Sequence, residues 1–324
     1  MGRTRVALIG CGGRGRGHLR ALRDFPDIEV VALCDPDPGT LREAGAETAG
    51  ARLYADPGAL LAEAEPDAAV VATPAHINAA TALMCLERGV HTLMEKPPGL
   101  EAEETRGLRR AARASGARAM VGWNRRFNPL VLEAKRRILE RGPVAQLVGE
   151  FHKSMAGFEE AGRFPAVVME KMLFETPIHA IDLVRHLAGG EVAEVHAAAG
   201  RGFSAHPDMH AALVLFDNGC VAQITANYTT DARLERYEIH GREISAYLEG
   251  VNRAEIVCDG GRESVKGGDD STVAQARFFF DRLADGRPFG DPAADLDEAV
   301  KTMELAEAIA AGRPVGGFGA KGGA

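Results

Sequence analysis

The run Glu175-Thr-Pro-Ile-His179-Ala-Ile-Asp182-Leu-Val-Arg-His186 is the most informative segment of the 324-residue chain, because it spaces carboxylates and imidazoles at helical intervals. Thr176 can cap a helix there and Pro177 can occupy its first turn. At about 100° per residue, Glu175, His179, Asp182 and His186 then fall on one stripe. Ile178, Ile181, Val184 and Leu187 cover much of the remaining circumference, which predicts a largely buried helix with a single polar line. Buried polar groups need partners, and a carboxylate beside a buried imidazole commonly carries acid-base work. The same spacing also fits side chains that satisfy one another inside a core. A zinc site lacks its HExxH pattern, and no metal is expected.

Lys96 is the second group of interest. It stands in Glu95-Lys96-Pro97-Pro98, directly after the apolar run from Val90 to Met94. That order puts a lysine at the end of a strand, on backbone stiffened by proline, although a loop lysine is also an ordinary surface charge. Gly10-Cys11-Gly12-Gly13-Arg14-Gly15 supplies the context. It matches G-x-G-x-x-G, follows the apolar run from Val6 to Ile9, and opens a helical stretch from Arg16 to Asp24. Such glycines allow a tight turn and let backbone approach a pyrophosphate, whose charge a helix N-terminus stabilises. A second strand, Glu29 to Cys34, ends in Asp35, where a carboxylate can accept from the adenosine ribose hydroxyls and would repel a 2'-phosphate. NAD is therefore expected, with NADP left open by Arg14 and Arg16. Thr73-Pro74, after the strand from Ala68 to Ala72, occupies a loop where ligands of open α/β sheets sit, or simply starts a helix. The candidate cofactor contacts are Gly10, Gly12, Gly13, Arg14, Gly15, Asp35, Thr73, Pro74, Glu95 and Lys96, with Lys96 facing the nicotinamide.

Alternating elements must position these groups. After the first two strands come a helix over 79 to 88 closed by Gly89, a strand over 90 to 94, a charged helix over 101 to 115 and a strand over 117 to 121. This predicts an α/β chain whose N-terminal domain, residues 1–121, is a doubly wound parallel sheet of the Rossmann kind binding NAD. The texture changes after Gly122, where Trp123-Asn-Arg-Arg-Phe-Asn-Pro129 leads into a helix over 130 to 141. Alternating segments at 146–151, 192–198, 210–216, 221–228, 237–240 and 244–248 read as strands joined by Gly-containing turns. Residues 122–324 are thus expected to form a C-terminal α/β domain with an open, mostly antiparallel sheet, for substrate binding and oligomerisation. Helices return at 272–284 and 295–311, ahead of a Gly-rich tail from Gly312 expected to fray.

Composition narrows the partners. A net charge of -8, from 46 acidic and 38 basic side chains, disfavours nucleic acid. Five cysteines without a CxxC pair fit reduced thiols in a cytoplasmic protein. The N-terminal apolar stretch is too short for a signal peptide or a membrane span.

Gly-Cys-Gly-Gly-Arg-Gly at 10 to 15, Thr73-Pro74, Glu95-Lys96-Pro97, Arg126-Phe127 before Pro129, and Glu175...His179...Asp182 with the trailing Gly189-Gly190 recur in one order and spacing. By these the chain resembles the glucose-fructose oxidoreductase, inositol dehydrogenase and rhizopine-catabolism (Gfo/Idh/MocA) oxidoreductases over nearly its whole length. The resemblance implies a Rossmann domain, then a domain whose open sheet often packs on another subunit as a homodimer or homotetramer. It maps the catalytic lysine to Lys96, the histidine to His179 and the acidic residue four before it to Glu175, where many members have aspartate. Asn78 is a further departure, since members commonly carry histidine there. The expected reaction is hydride transfer between nicotinamide and a hydroxyl carbon of a sugar, cyclitol or related polyol. His179 takes the hydroxyl proton, Lys96 stabilises the alkoxide and Glu175 orients His179 or holds a hydroxyl. Lys96, Arg126, Lys153, Asp182 and His179 are the candidate substrate contacts. Two alternatives are an NAD-retaining glycoside-cleaving enzyme without net redox change and a non-catalytic NAD sensor.

Overall fold

The computed structural model describes residues 2–155, 158, 162, 164–268 and 270–315. The chain groups into two compact units, Met1–Phe127 with Asp270–Val300, and Asn128–Asp269 with Lys301–Ala324.

In the first unit the elements run β1 (Thr4–Ile9), α1 (Gly13–Arg23), β2 (Ile28–Cys34), α2 (Pro38–Ala46), β3 (Arg52–Tyr54), α3 (Pro57–Ala64), β4 (Ala68–Val71), α4 (Ala75–Glu87), β5 (His91–Met94), α5 (Ala102–Ser115) and β6 (Ala119–Val121). Six parallel strands lie in the order β3-β2-β1-β4-β5-β6. Reversal of strand order beside β1 creates the switch point at which doubly wound sheets bind ligands. Strand burial follows from both faces being covered: Val6, Ala7, Leu8, Val70 and Val71 have no exposed surface. Asp-Pro pairs start two helices. Asp37 accepts from Thr40 N at 2.7 Å and Asp56 from Ala59 N at 2.8 Å, each followed by proline at the first helical position.

The second unit holds α6 (Pro129–Leu139), β7 (Gln146–Ser154), α7 (Ala166–Glu170), α8 (Met172–Glu175), α9 (Ile178–Ala188), β8 (Val192–Gly200), β9 (Met209–Phe216), β10 (Val221–Asn227), β11 (Thr229–Gly241), β12 (Ile244–Glu249), β13 (Arg253–Cys258) and β14 (Gly261–Lys266). Then α10 (Ser271–Ala284) rejoins the first unit, the division between units falls within α11 (Leu296–Ala310), and β15 (Arg313–Val315) closes the described chain. Nine strands form a mixed sheet in the order β14-β13-β12-β11-β7-β10-β9-β8-β15. All neighbours are antiparallel except β7 with β10 and β8 with β15. Its inner face packs on α9, where Gly149 of β7 admits Val184. Its other face mixes polar and apolar side chains, among them Gln146, Val148, Glu150, Leu213, Gln223 and Thr225.

The tail differs from expectation at its start. Arg313–Val315 pairs with Ala198–Gly200 instead of fraying, because the β8 edge offers unpaired backbone groups. Residues 316–324 lie outside the described residues. No helix among the described residues is long and apolar enough to cross a membrane.

Candidate functional site

The glycine turn is built by close backbone approach. Gly10 follows β1 with φ +92°, and a Cβ there would stand 2.5 Å from the Ala72 carbonyl oxygen. A Cβ on Gly15 would overlap the Gly10 carbonyl, so the third glycine seats α1 against the turn. Gly12 and Gly13 are different, since a Cβ on either would meet nothing within 4 Å. The space above them opens onto the N-terminus of α1, which has no side-chain cap and no acidic residue in its first turn. At the end of β2, Asp35 accepts from Cys11 N at 2.8 Å and from Asp37 N at 3.0 Å, which turns its carboxylate toward the glycine turn.

Glu95 joins this turn to the lysine loop. Its carboxylate is 6% exposed and lies 2.6 Å from Arg14 Nε and 2.7 Å from His18 Nε2. Burial raises the carboxyl pKa, but the bonds and charges of His18 and Arg14 outweigh it and bring it down to about 2. Glu95 is thus an anion tying α1 to the segment after β5. Asn78, buried in the first turns of α4, donates to Glu95 O at 2.5 Å and to Pro97 O at 2.9 Å, and accepts from Thr73 Oγ1 at 3.0 Å. The Lys96-Pro97 peptide between them is cis. Farther on, Glu104 accepts from Leu100 N at 2.6 Å and from Glu101 N at 3.1 Å, fixing the loop to the start of α5.

In the second unit Glu175 ends the short α8, while His179 and Asp182 ride on α9. The expected cap is absent. Thr176 donates to Glu175, and Pro177 precedes the first helical residue without a side-chain cap bond. The chain breaks between α8 and α9, so Glu175 is set by the break and not by the stripe. His179 is 7% exposed, and Asp182 is fully buried, accepting from Thr302 Oγ1 at 3.1 Å, while Arg185 Nε donates to the same hydroxyl at 3.0 Å. His186 Nε2 lies 3.1 Å from Lys135 Nζ on α6. The polar line therefore divides among three neighbours. Near Glu175, the Tyr228 hydroxyl donates to Met172 O at 3.0 Å. Burial, then the Glu175 charge, push that phenol well above its ordinary value.

The expected residues thus gather in two sets. Gly10, Gly12, Gly13, Arg14, Gly15, Asp35, Thr73, Pro74, Glu95 and Lys96 belong to the first unit around the carboxyl ends of β1, β2, β4 and β5, and Glu175, His179, Asp182 and Lys153 belong to the second. Arg126 is 1% exposed within the first unit, 3.8 Å from Glu298 and 3.4 Å from the Ala293 carbonyl. Lys153 Nζ lies 4.4 Å from the Phe158 ring centroid. The 153–164 loop falls partly outside the described residues. Sequence reasoning passed over His18 and Thr302. The available signal for His18 was a polar residue at a core position of α1, between Gly15, Leu19 and Leu22.

A dinucleotide fits the first set: an uncapped helix N-terminus faces open space that only glycine leaves, and a carboxylate stands at the end of β2. Residues 4–123 match the family model described as the oxidoreductase family, NAD-binding Rossmann fold, and residues 140–247 match the GFO/IDH/MocA C-terminal domain. Inositol 2-dehydrogenase 2 of Saccharopolyspora erythraea is 33% identical over 71% of this chain and 69% of its own length. D-apiose dehydrogenase of Paraburkholderia graminis is 30% identical over 78% of this chain and 70% of its own. Among solved structures, levoglucosan dehydrogenase in complex with NADH superposes with a TM-score of 0.84 at 21% identity, covering 95% of this chain and 96% of that one. The two matched segments, the glycine turn with its acidic partner and the shared fold make this chain a member of the Gfo/Idh/MocA oxidoreductase family, with NAD as the cofactor of its Rossmann unit.

Proposed function

We propose that this oxidoreductase dehydrogenates a secondary hydroxyl of a sugar, cyclitol or related polyol. The observation that carries the reading is the bond that Arg14 Nε donates to the buried Glu95 carboxylate, which ties the segment bearing Lys96 to the turn that receives the dinucleotide. When bound, NAD supplies the hydride acceptor. The ammonium of Lys96 stabilises the alkoxide as charge develops on the substrate oxygen. His179 takes the hydroxyl proton at a ring nitrogen, and Glu175 orients that ring or holds a neighbouring hydroxyl. Asp182, closed off beneath Thr302, serves the substrate through the placement of α9, and Lys153 is the basic group offered to hydroxyls or a carboxylate, whereas Arg126, buried against Ala293 and Glu298, serves the first unit's own packing. Asp35 supports a preference for NAD over NADP.

The relatives that act on inositols and D-apiose support the polyol class. A panel of sugars, cyclitols and their acids, followed by NADH absorbance with NADP in parallel, tests it. Lys96→Ala and His179→Ala are each expected to lower kcat on the best polyol by about 100-fold or more. Turnover within a few-fold of the parent in both variants removes these roles.

We further propose a homo-oligomer formed through the outer face of the nine-stranded sheet. There a hollow of about 880 Å³ is lined by Ala198, Ala211, Leu213, Gln223 and Thr225 among others, with Leu213 38% exposed.

A further inference from the structure

Lys96 is held from both sides by one side chain. The carboxamide of Asn78 uses both of its donors on the carbonyls that flank Lys96, those of Glu95 and Pro97, at 2.5 and 2.9 Å. Its oxygen is locked by the Thr73 hydroxyl at 3.0 Å, which fixes which end of the amide faces the loop. Asn78 is completely buried and Pro97 is buried beside it, so water cannot replace these bonds. Carbonyls only accept, and a carboxylate or an apolar side chain at position 78 would leave both without a donor. The amide is thus a two-pronged clamp on the one stretch of backbone that aims Lys96.

We infer that Asn78 is a positioning residue for the reaction, acting through Lys96 by fixing the carbonyls before and after it. This rests on the catalytic reading of Lys96 given above. The clamp belongs to this chain's own chemistry: an imidazole, the side chain that the family resemblance leads one to expect at 78, has one N–H to donate when neutral and cannot hold both carbonyls at once.

The test pairs an activity cycle with a readout on the protein without cofactor. Asn78→Ala is expected to lower kcat on the best panel polyol about 10- to 100-fold, the size of a displaced catalytic group. KM and the NADH dissociation constant, read by fluorescence, should stay within about threefold. In a Lys96→Ala background the same substitution should cause no further fall, because the group it aims is gone. Independently, acetylation of Lys96 by an N-hydroxysuccinimide ester, followed by peptide mass spectrometry, should speed up several-fold in Asn78→Ala. If Asn78→Ala does not fold, Asn78→His carries the test, since it fills the space and keeps one donor; its kcat should lie between those of the parent and of Lys96→Ala, and its Lys96 labelling rate above that of the parent. A folded variant that keeps kcat within threefold overturns the inference, as does an equal loss in both backgrounds. Should Lys96→Ala itself retain turnover, the catalytic reading fails and the labelling rate alone decides the clamp: faster supports it, unchanged overturns it.

Discussion

Two glycines of one turn should fail in opposite ways when each is given a methyl group. In Gly10→Ala the new Cβ would stand 2.5 Å from the Ala72 carbonyl oxygen and 2.7 Å from its carbon. Carbon and carbonyl oxygen meet comfortably at roughly 3.3 Å, so β1 and β4 would have to part by about 0.8 Å. Ala72 N to Ile9 O at 2.8 Å pins β1 to the end of β4 where this would happen, and Gly10 N to Cys34 O at 2.8 Å holds the same turn to β2 on its other side. Overpacking of this kind costs about 1–3 kcal/mol, and forcing a Cβ onto φ +92° adds about 1–2 kcal/mol. The sum, about 2–5 kcal/mol, is a large part of the roughly 5–15 kcal/mol that holds a protein folded. Gly12→Ala meets nothing within 4 Å at φ −64°, an ordinary value for alanine. Its effect on the cofactor-free protein should stay within about 1 kcal/mol. The methyl group instead fills space that only glycine leaves open to a pyrophosphate, so the NADH dissociation constant should rise at least about tenfold, or about 1.4 kcal/mol. Urea unfolding of the cofactor-free variants and NADH fluorescence titration separate the two effects. If Gly12→Ala destabilises as much as Gly10→Ala, or binds NADH like the parent, the division of labour between these glycines is wrong.

Two other outcomes are expected. Glu95 titrates at about 2 in the fold against 4.5 ordinarily, a depressed acid, so its contribution is full above pH 4.5 and lost as pH falls toward 2. At roughly 3 kcal/mol at most, it should appear as a gap in urea midpoint between the parent and Glu95→Gln near pH 6 that narrows steadily below pH 4.5; a gap independent of pH refutes the ionic account. Leu213→Asp, placing a charge on the outer sheet face, should shift sedimentation equilibrium toward the monomer while leaving the far-ultraviolet circular dichroism of the parent, and an unchanged mass would locate assembly elsewhere.

Much of the frame was readable because local signals agreed with one another. Val6 to Ile9, the glycine turn and the helix after it needed no tertiary information, and neither did the alternating runs that became β9, β10 and β12. The region from Pro38 to Ala64 escaped because α2 and α3 are short and their signal is a cap, Asp37-Pro38 and Asp56-Pro57, more than a periodicity. The polar stripe after Glu175 was half legible. Periodicity placed His179 and Asp182 on one buried helix, but no local rule says that Thr302, 120 residues away, would take the Asp182 carboxylate, or that the helix would start only after Pro177. Glu95 and Asn78 were visible as residues and opaque as partners, since their bonds reach Arg14, His18, Thr73 and Pro97 through the fold.

The return of Asp270–Val300 to the first unit has a consequence for how that unit comes into being. Its core includes Val6, Leu8, Leu33 and Leu93 together with Ala276, Phe279, Phe280 and Phe289, and Gln275 donates to Val121 O across an interval of 154 residues. A nascent chain emerging from the ribosome therefore makes all six parallel strands long before it makes the helix that seals them. Until then the sheet keeps an oily flank uncovered, and a fragment cut after Phe127 would keep it permanently.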